Sequence, residues 1–410
     1  MKNSLSFPAL LTILTIMLLG CKDRPGENSA EPVAPVQEEQ TLRTAIQEVS
    51  LSGRGYELGY QHGNKLREEI EAIVTKWRQN TERALKTDSE AVLDAFFEYA
   101  RFEETIKIHT PDLYEEVRGI AEGSGQDFRD ILVLNLLDEF WVYIDNPENH
   151  HCSDMGVPAQ NGNPTYIAQN MDLETYTDGF QVLLRLDRTP ERPAQMILTY
   201  PGLIAANGLN EAGIGVVVNT IMQLQSSADG LPVAFVVRKI LSHTEEGRLL
   251  NFIQKVKHAS GQNYILGIRD SVYDFEASAN QVVRFDPGNK NGTVYHTNHP
   301  VANNDLKPWH AQYAPNQEVE DLPLASNSYL RYAALEKRMQ QGENITDAAI
   351  MDALRSKDDP NNPVCRNNIP GKGGFTFAST VMTLSDTPKL QVTSGPPDES
   401  EYKEFTFDID

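Results

Sequence analysis

Three cysteines occur in the chain, at positions 21, 152 and 365. Cys152 has the neighbours of a nucleophile. His150-His151-Cys152-Ser153-Asp154 precedes a short turn and a strand ending in Gln169-Asn170-Met171-Asp172. A lone Cys-Ser opening a strand, with a carboxylate one hairpin later, suits chemistry in which the cysteine becomes the first residue of a chain. Cutting the His151–Cys152 bond would leave a thiol and a free α-amine on one residue, a nucleophile beside its base. An α-amine titrates at roughly 7.7–8.0, near the value a base working at neutral pH needs. Asp172, at a strand end, could hold that amine. Asn219 follows three valines at the end of Gly215 to Asn219. Asn298 ends the Tyr295-His296-Thr297-Asn298 segment. Either amide could donate to a developing oxyanion, which acyl transfer requires.

Plainer roles compete for each residue. A free cysteine is usually a small buried hydrophobe; here its company favours chemistry. The His150-His151-Cys152-Asp154 cluster is not a metal site, because adjacent strand residues point to opposite faces. Asp172 could cap a turn, Asn219 could end a strand, and Arg331 could be a helix-surface charge. Asn210 suits a hairpin turn. Ser153 could assist processing or support its neighbour. His296 and His299 are neighbours rather than bases, and Cys365 reads as buried and inert. A papain-like arrangement would need a separate histidine base, and no convincing candidate stands in a suitable strand.

The elements that must position these residues change character at Cys152. Before it the apolar spacing is helical: Tyr60 to Leu85, Ser89 to Ile106, a helix opened by the Thr110-Pro111 cap and stopped at Gly123-Ser124-Gly125, and Asp127 to Phe140. After it come strands at 166–169, 180–186, 195–200, 203–209 and 214–220, then helices from Pro232 to Leu241 and from Glu245 to Lys257. Strands resume at 263–268, 272–277, 281–285 and 293–296. Helices return at 328–339 and 345–356, and last strands at 376–384 and 390–394. Helices first, then antiparallel strands with helical pairs inserted, predict an α+β layered fold with helices outside.

The N-terminus reads as an export signal: a basic start, an apolar run from Pro8 to Leu19, and Leu18-Leu19-Gly20-Cys21. The run is too short for a mature membrane span. It resembles a bacterial lipoprotein signal, with cleavage before Cys21 and lipid on that cysteine. Residues 1–20 are then the signal and 21–44 a Pro- and Glu-rich flexible tether. Residues 45–151 form a helical segment and 152–410 the core. The expected place is the cell envelope, at the outer membrane or the periplasmic face, held through Cys21 alone. A net charge of −22 argues against nucleic acid and against broad contact with anionic lipid. With Cys21 acylated, one disulfide, Cys152–Cys365, would remain open to the chain.

Together these residues resemble a family: N-terminal-nucleophile amidohydrolases of the acyl-CoA:6-aminopenicillanate acyltransferase type (peptidase C45), with bile salt hydrolase and penicillin V acylase more distant. Gly59-Tyr60-Gln61-His62-Gly63, Glu122-Gly123-Ser124-Gly125, the Cys-Ser segment and Gln169-Asn170-Met171-Asp172 carry the resemblance. So do Gly208-Leu209-Asn210-Glu211-Ala212-Gly213, Thr297-Asn298-His299-Pro300, Ser328 to Tyr332, Cys365-Arg366 and Thr376-Phe377-Ala378-Ser379. Bile salt hydrolases carry Arg where Gln169 stands, whereas the acyltransferase branch carries Gln. The acyltransferase has Gly where His151 stands. The resemblance implies a four-layer αββα sandwich and self-cleavage between His151 and Cys152, the two resulting chains staying associated. It implies Cys152 as nucleophile, Asp172 beside it, Asn219 and Asn298 around the oxyanion, and Arg331 in the surroundings, binding substrate. No cofactor or metal is implied. The expected partner is a small-molecule amide or acyl substrate, cleaved at a C–N bond. The alternative is a lipid-anchored binding protein that keeps the fold without the chemistry.

Overall fold

The computed structural model describes residues 46–144, 151–311, 323–340, 344–371 and 373–407. The signal, Cys21 and the tether lie outside them, as does His150.

Strand β1 (Gln47–Leu51) leads into helices α1 (Gly55–Lys65), α2 (Arg67–Leu85), α3 (Ser89–Tyr99), α4 (Phe102–His109), α5 (Pro111–Ser124), α6 (Phe128–Leu134) and α7 (Leu137–Tyr143). Strands β2 (Ser153–Val157), β3 (Thr165–Leu173), β4 (Val182–Leu186), β5 (Gln195–Thr199), β6 (Asn207–Asn210) and β7 (Ile214–Thr220) follow. Helices α8 (Val233–Leu241) and α9 (Glu246–Lys255) precede β8 (Gln262–Ile268), β9 (Ser271–Ala277), β10 (Val282–Phe285) and β11 (Val294–His296). Helices α10 (Pro308–Ala311), α11 (Pro323–Gln340) and α12 (Asp347–Leu354) come next, and β12 (Phe375–Leu384), β13 (Lys389–Val392) and β14 (Lys403–Thr406) close the fold.

The strands make two sheets. One is 8-stranded in the order β1-β4-β5-β6-β7-β8-β9-β10; the other is 6-stranded, β11-β2-β3-β12-β13-β14. Neighbours are antiparallel except β1, which lies parallel to β4. The strand alternation assigns the faces. Met155 and Val157 of β2 and Tyr166 and Ala168 of β3 pack with Leu335, Ile350 and Leu354 of the α11–α12 layer. Ile167 and Met171 point the other way, into the core shared with the larger sheet. That contact is close: a methyl on Gly267 of β8 would strike the Leu384 side chain of β12. Helix α8 covers the far face of the larger sheet against β6 and β7. The architecture is therefore helix, sheet, sheet, helix, the αββα sandwich expected from the sequence.

Several local readings change. The 127–140 helix breaks in two at Asn135. That side chain donates to the Ile131 and Gly202 carbonyls (both 2.8 Å) and accepts from the Ile204 amide (2.9 Å), tying the break to the turn after β5. Pro111 does open α5, but Thr110 does not cap it; its hydroxyl returns to the Ile106 carbonyl at 3.0 Å. Gly125 stops α5 in the left-handed region, φ 74°. The 203–209 strand starts only at Asn207 and runs one residue further, to Asn210, and β1 and β14 add to the expected strands.

Helices α1 and α5 touch through glycine. A methyl on Gly59 would meet the Glu116 carbonyl, and one on Gly119 the Tyr56 carbonyl, backbone that cannot step aside. Gly119→Ala is therefore expected to lower unfolding free energy by about 3 kcal/mol despite alanine's better helix propensity. Gly247→Ala on open α9, where nothing lies within 4 Å, should raise it by about 0.5 kcal/mol. Urea titrations of both variants check the opposite signs.

Candidate active site

Cys152 sits immediately before β2, which lies between the edge strand β11 and β3 in the smaller sheet. It is half-buried, with Sγ 3.9 Å from the Asp172 carbonyl oxygen on the neighbouring strand. The ends of β3, β7 and β11 carry Asp172, Asn219 and Asn298 to the same end of the sandwich. Gln169 braces two of those ends: its amide donates to the Val218 carbonyl (2.6 Å) and accepts from Asn207 (2.5 Å), bolting β3 across to β6 and β7.

Arg331 holds the group together. It is fully buried, not a helix-surface charge. Its guanidinium donates to the Cys152 carbonyl (2.5 Å), Ser153 Oγ (2.9 Å), Asn298 Oδ1 (2.9 Å) and Asn327 Oδ1 (2.8 Å). Asn327 also lies 3.1 Å from His151 Nδ1, so both sides of the His151–Cys152 bond are held from α11. Ser153 points toward the helices by strand alternation, which is why Arg331 can reach it.

The two candidate amides differ. Asn298 already donates to the Thr220 carbonyl at 3.0 Å and accepts from Arg331, so it bridges β7 to the arginine. Asn219 is fully buried with neither amide atom hydrogen-bonded. Such an amide is costly to leave unmatched, and it remains able to donate. Neither asparagine lines the pocket described below. Asp172 is buried; Oδ1 accepts from Thr376 Oγ1 at 2.8 Å, Arg366 Nε stands 3.9 Å from Oδ2, and Oδ2 has no hydrogen bond.

Burial dominates the electrostatics. It pushes the Cys152 thiol well above its ordinary value, with the Asp154 and Asp172 charges adding to the effect. It also raises the Asp172 carboxyl to about 6, against the pull of Arg366 and Arg331. Asp154, facing the larger sheet, is held well above the carboxylate range by the same desolvation. Burial and these acid charges together favour the neutral thiol.

Cys152 and Asp172 line a pocket between the strand ends and helices α6, α7 and α8. Its walls are mostly apolar, among them Trp141, Met171, Leu203, Val218 and Val237. His296 instead pairs with Glu276 at 2.8 Å, and His299 stacks on Tyr329 with centroids 3.8 Å apart; neither lines the pocket. Both Cys152 and Cys365 are free thiols, Cys365 buried and donating to Asp398 at 2.9 Å, so no disulfide joins them. Sequence reasoning gave no role to Asn327, Arg366, Thr376 or Asp154. The Cys365-Arg366 and Thr376-Phe377 segments were visible only as motifs, and nothing in their spacing tells that they meet Asp172.

The family described as acyl-coenzyme A:6-aminopenicillanic acid acyl-transferase matches residues 159–398. The chain belongs to that family. A curated relative, the 40 kDa form of acyl-coenzyme A:6-aminopenicillanic-acid-acyltransferase from Emericella nidulans, is 26% identical over 336 residues, covering 82% of this chain and 88% of the relative. Among solved structures, the Caenorhabditis elegans ortholog of N-acylethanolamine-hydrolyzing acid amidase aligns at TM-score 0.37 and 14% identity, covering 57% of this chain and 92% of its own. Penicillin V acylase from Agrobacterium tumefaciens gives 0.35 and 15%, covering 63% and 86%. A mutant conjugated bile acid hydrolase from Clostridium perfringens gives 0.34 and 14%, covering 63% and 97%. The acyl-transferase match starts after Cys152.

An acid whose folded value is raised binds its proton more tightly folded than unfolded. Stability therefore falls as pH climbs from 3.8 to about 6 through Asp172, and its share is constant above that. In a Cys152→Ala background Asp172→Asn removes this slope. The variant's advantage in unfolding free energy should grow by about 2 kcal/mol between pH 4 and 6. Denaturant curves at several pH values check it.

Proposed function

We propose that this acyl-transferase family member is a cysteine amidohydrolase that cuts itself before Cys152 and then cleaves C–N amide bonds of small molecules. One observation carries the reading: the Cys152 thiol and the Asp172 carboxyl, its Oδ2 open, line the same largely apolar pocket. In self-cleavage Sγ attacks the His151 carbonyl carbon, the C–N bond breaks, and the thiol proton ends on the new α-amine. Water then hydrolyses the thioester, leaving a carboxylate on His151 and a free thiol on Cys152. Arg331, on the Cys152 carbonyl, keeps that side of the bond still. Asp172 Oδ2 is the anchor for the α-ammonium.

In turnover the α-amine takes the thiol proton as Sγ attacks the substrate carbonyl, and passes it to the leaving amine. Asn219, its buried amide unmatched between the pocket-lining Val218 and Thr220, supplies an N–H to the oxyanion once substrate is seated. The acyl thioester is released to water. Residues 1–44 support an exported, Cys21-lipidated protein of the envelope, where acyl-CoA is scarce, which favours water over CoA-dependent transfer.

Intact-mass and N-terminal analysis should find a chain starting at Cys152 in wild type and one unbroken chain in Cys152→Ala. An unbroken wild type that still hydrolyses amides would defeat the proposed base; one that does neither would leave a binding protein. Asn219→Ala should be processed yet lose about a hundredfold to a thousandfold in kcat, measured on any amide that wild type turns over. Cys21→Ser should move the protein from the detergent-extracted membrane fraction to the soluble one.

A further inference from the structure

The pocket beside Cys152 has a charge pattern that the amide chemistry leaves unexplained. Three carboxyl groups line it, Asp138, Asp172 and Glu174, and no Lys, Arg or His does so among the described residues. Asp172 is matched from outside by Arg366 and Arg331. Glu174 is not matched. It follows β3 directly, is 8% exposed, and its Oε1 has no hydrogen-bond partner. Trp141 donates to its carboxyl, and the charge acting on it is that of another acid, Asp138. Asp138, on α7, accepts from Thr220 Oγ1 at 2.6 Å. Burial lifts the Glu174 carboxyl to about 7, so its ionised form has a deficit that a cation in the pocket would remove. The same walls are apolar, which suits a short alkyl chain between a charged end and the sulfur.

We infer that the substrate is an amide bearing a cationic amine a few carbons from the scissile carbonyl, with Glu174 and Asp138 receiving the ammonium while Cys152 attacks the carbonyl. The inference rests on the amidohydrolase reading above and narrows its substrate. Glu174 is here a specificity residue. It takes no proton from the reacting atoms.

Processed enzyme is assayed on paired substrates of equal shape. Where the amine is on the acyl side, β-alanyl, γ-aminobutyryl and δ-aminovaleryl p-nitroanilides are set against butyryl, valeryl and hexanoyl p-nitroanilides. Where it is on the leaving group, the hexanoyl amide of putrescine is set against hexanoyl pentylamide. One arm should show kcat/KM higher by about tenfold to a hundredfold for the amine-bearing member. Glu174→Gln keeps the shape and hydrogen-bonding capacity and should erase that preference. Glu174→Asp should restore part of it, and Asp138→Asn should weaken it. A preference for the neutral members, or one unchanged in Glu174→Gln, overturns the inference and leaves the amidohydrolase standing. If no pair is turned over, alkylation of Cys152 by iodoacetamide is followed by peptide mass. Slowing by butylammonium but not butanol, lost in Glu174→Gln, supports the inference; no such slowing overturns it. A chain that never begins at Cys152 removes the amidohydrolase reading instead, a result read separately by intact mass.

Discussion

A guanidinium with no access to water fixes the geometry of this molecule's reactive end. Arg331 reaches from α11 to the Cys152 carbonyl, the Ser153 hydroxyl, and the Asn298 and Asn327 amides. A buried arginine is tolerated when its donors are met and its charge is answered, and a planar fork makes such contacts directional. Here the acceptors come from the start of β2, the turn after β11 and α11 itself. The strand that carries the thiol, the turn that reaches Thr220 through Asn298 and the outer helix therefore cannot shift independently. The Gln169 bridge does the same from the inner face of the smaller sheet.

Around that cation the site is built mainly of acids. Asp154, Asp172, Asp138 and Glu174 surround a thiol that burial alone would keep protonated. Many cysteine nucleophiles are primed by a nearby positive charge that lowers the thiol's value. This site does the reverse, its burial and its acids both favouring the neutral thiol. Water exclusion serves both halves: it holds the thiol neutral until a base is present, and it gives each carboxyl a strong preference for a positive partner.

The layered architecture was legible because its elements are long and periodic: β7, α8, β8 and β12 fall close to where the apolar pattern puts them. Short elements escaped. β1 has five residues with ordinary alternation and exists because β4 offers it an edge; β14 likewise completes β13. The split at Asn135 also could not be read, since a side chain reaching 67 positions along the chain causes it. In the site, Cys152 and Asp172 stood out by local company. Asn327 and Arg366 did not, because their value comes from meeting His151 and Asp172 across the fold, and no local pattern encodes that meeting.

The parallel pairing of β1 with β4 has a practical corollary. A polypeptide beginning at Cys152 would present β4 as a bare outer strand of apolar composition, Val182 to Leu186, and would leave Arg238 without its buried partner Glu116. An uncapped edge of that kind invites other chains to add themselves to it. Recombinant production of the 152–410 piece by itself should thus favour inclusion bodies, because the first segment supplies what covers that edge and answers that charge.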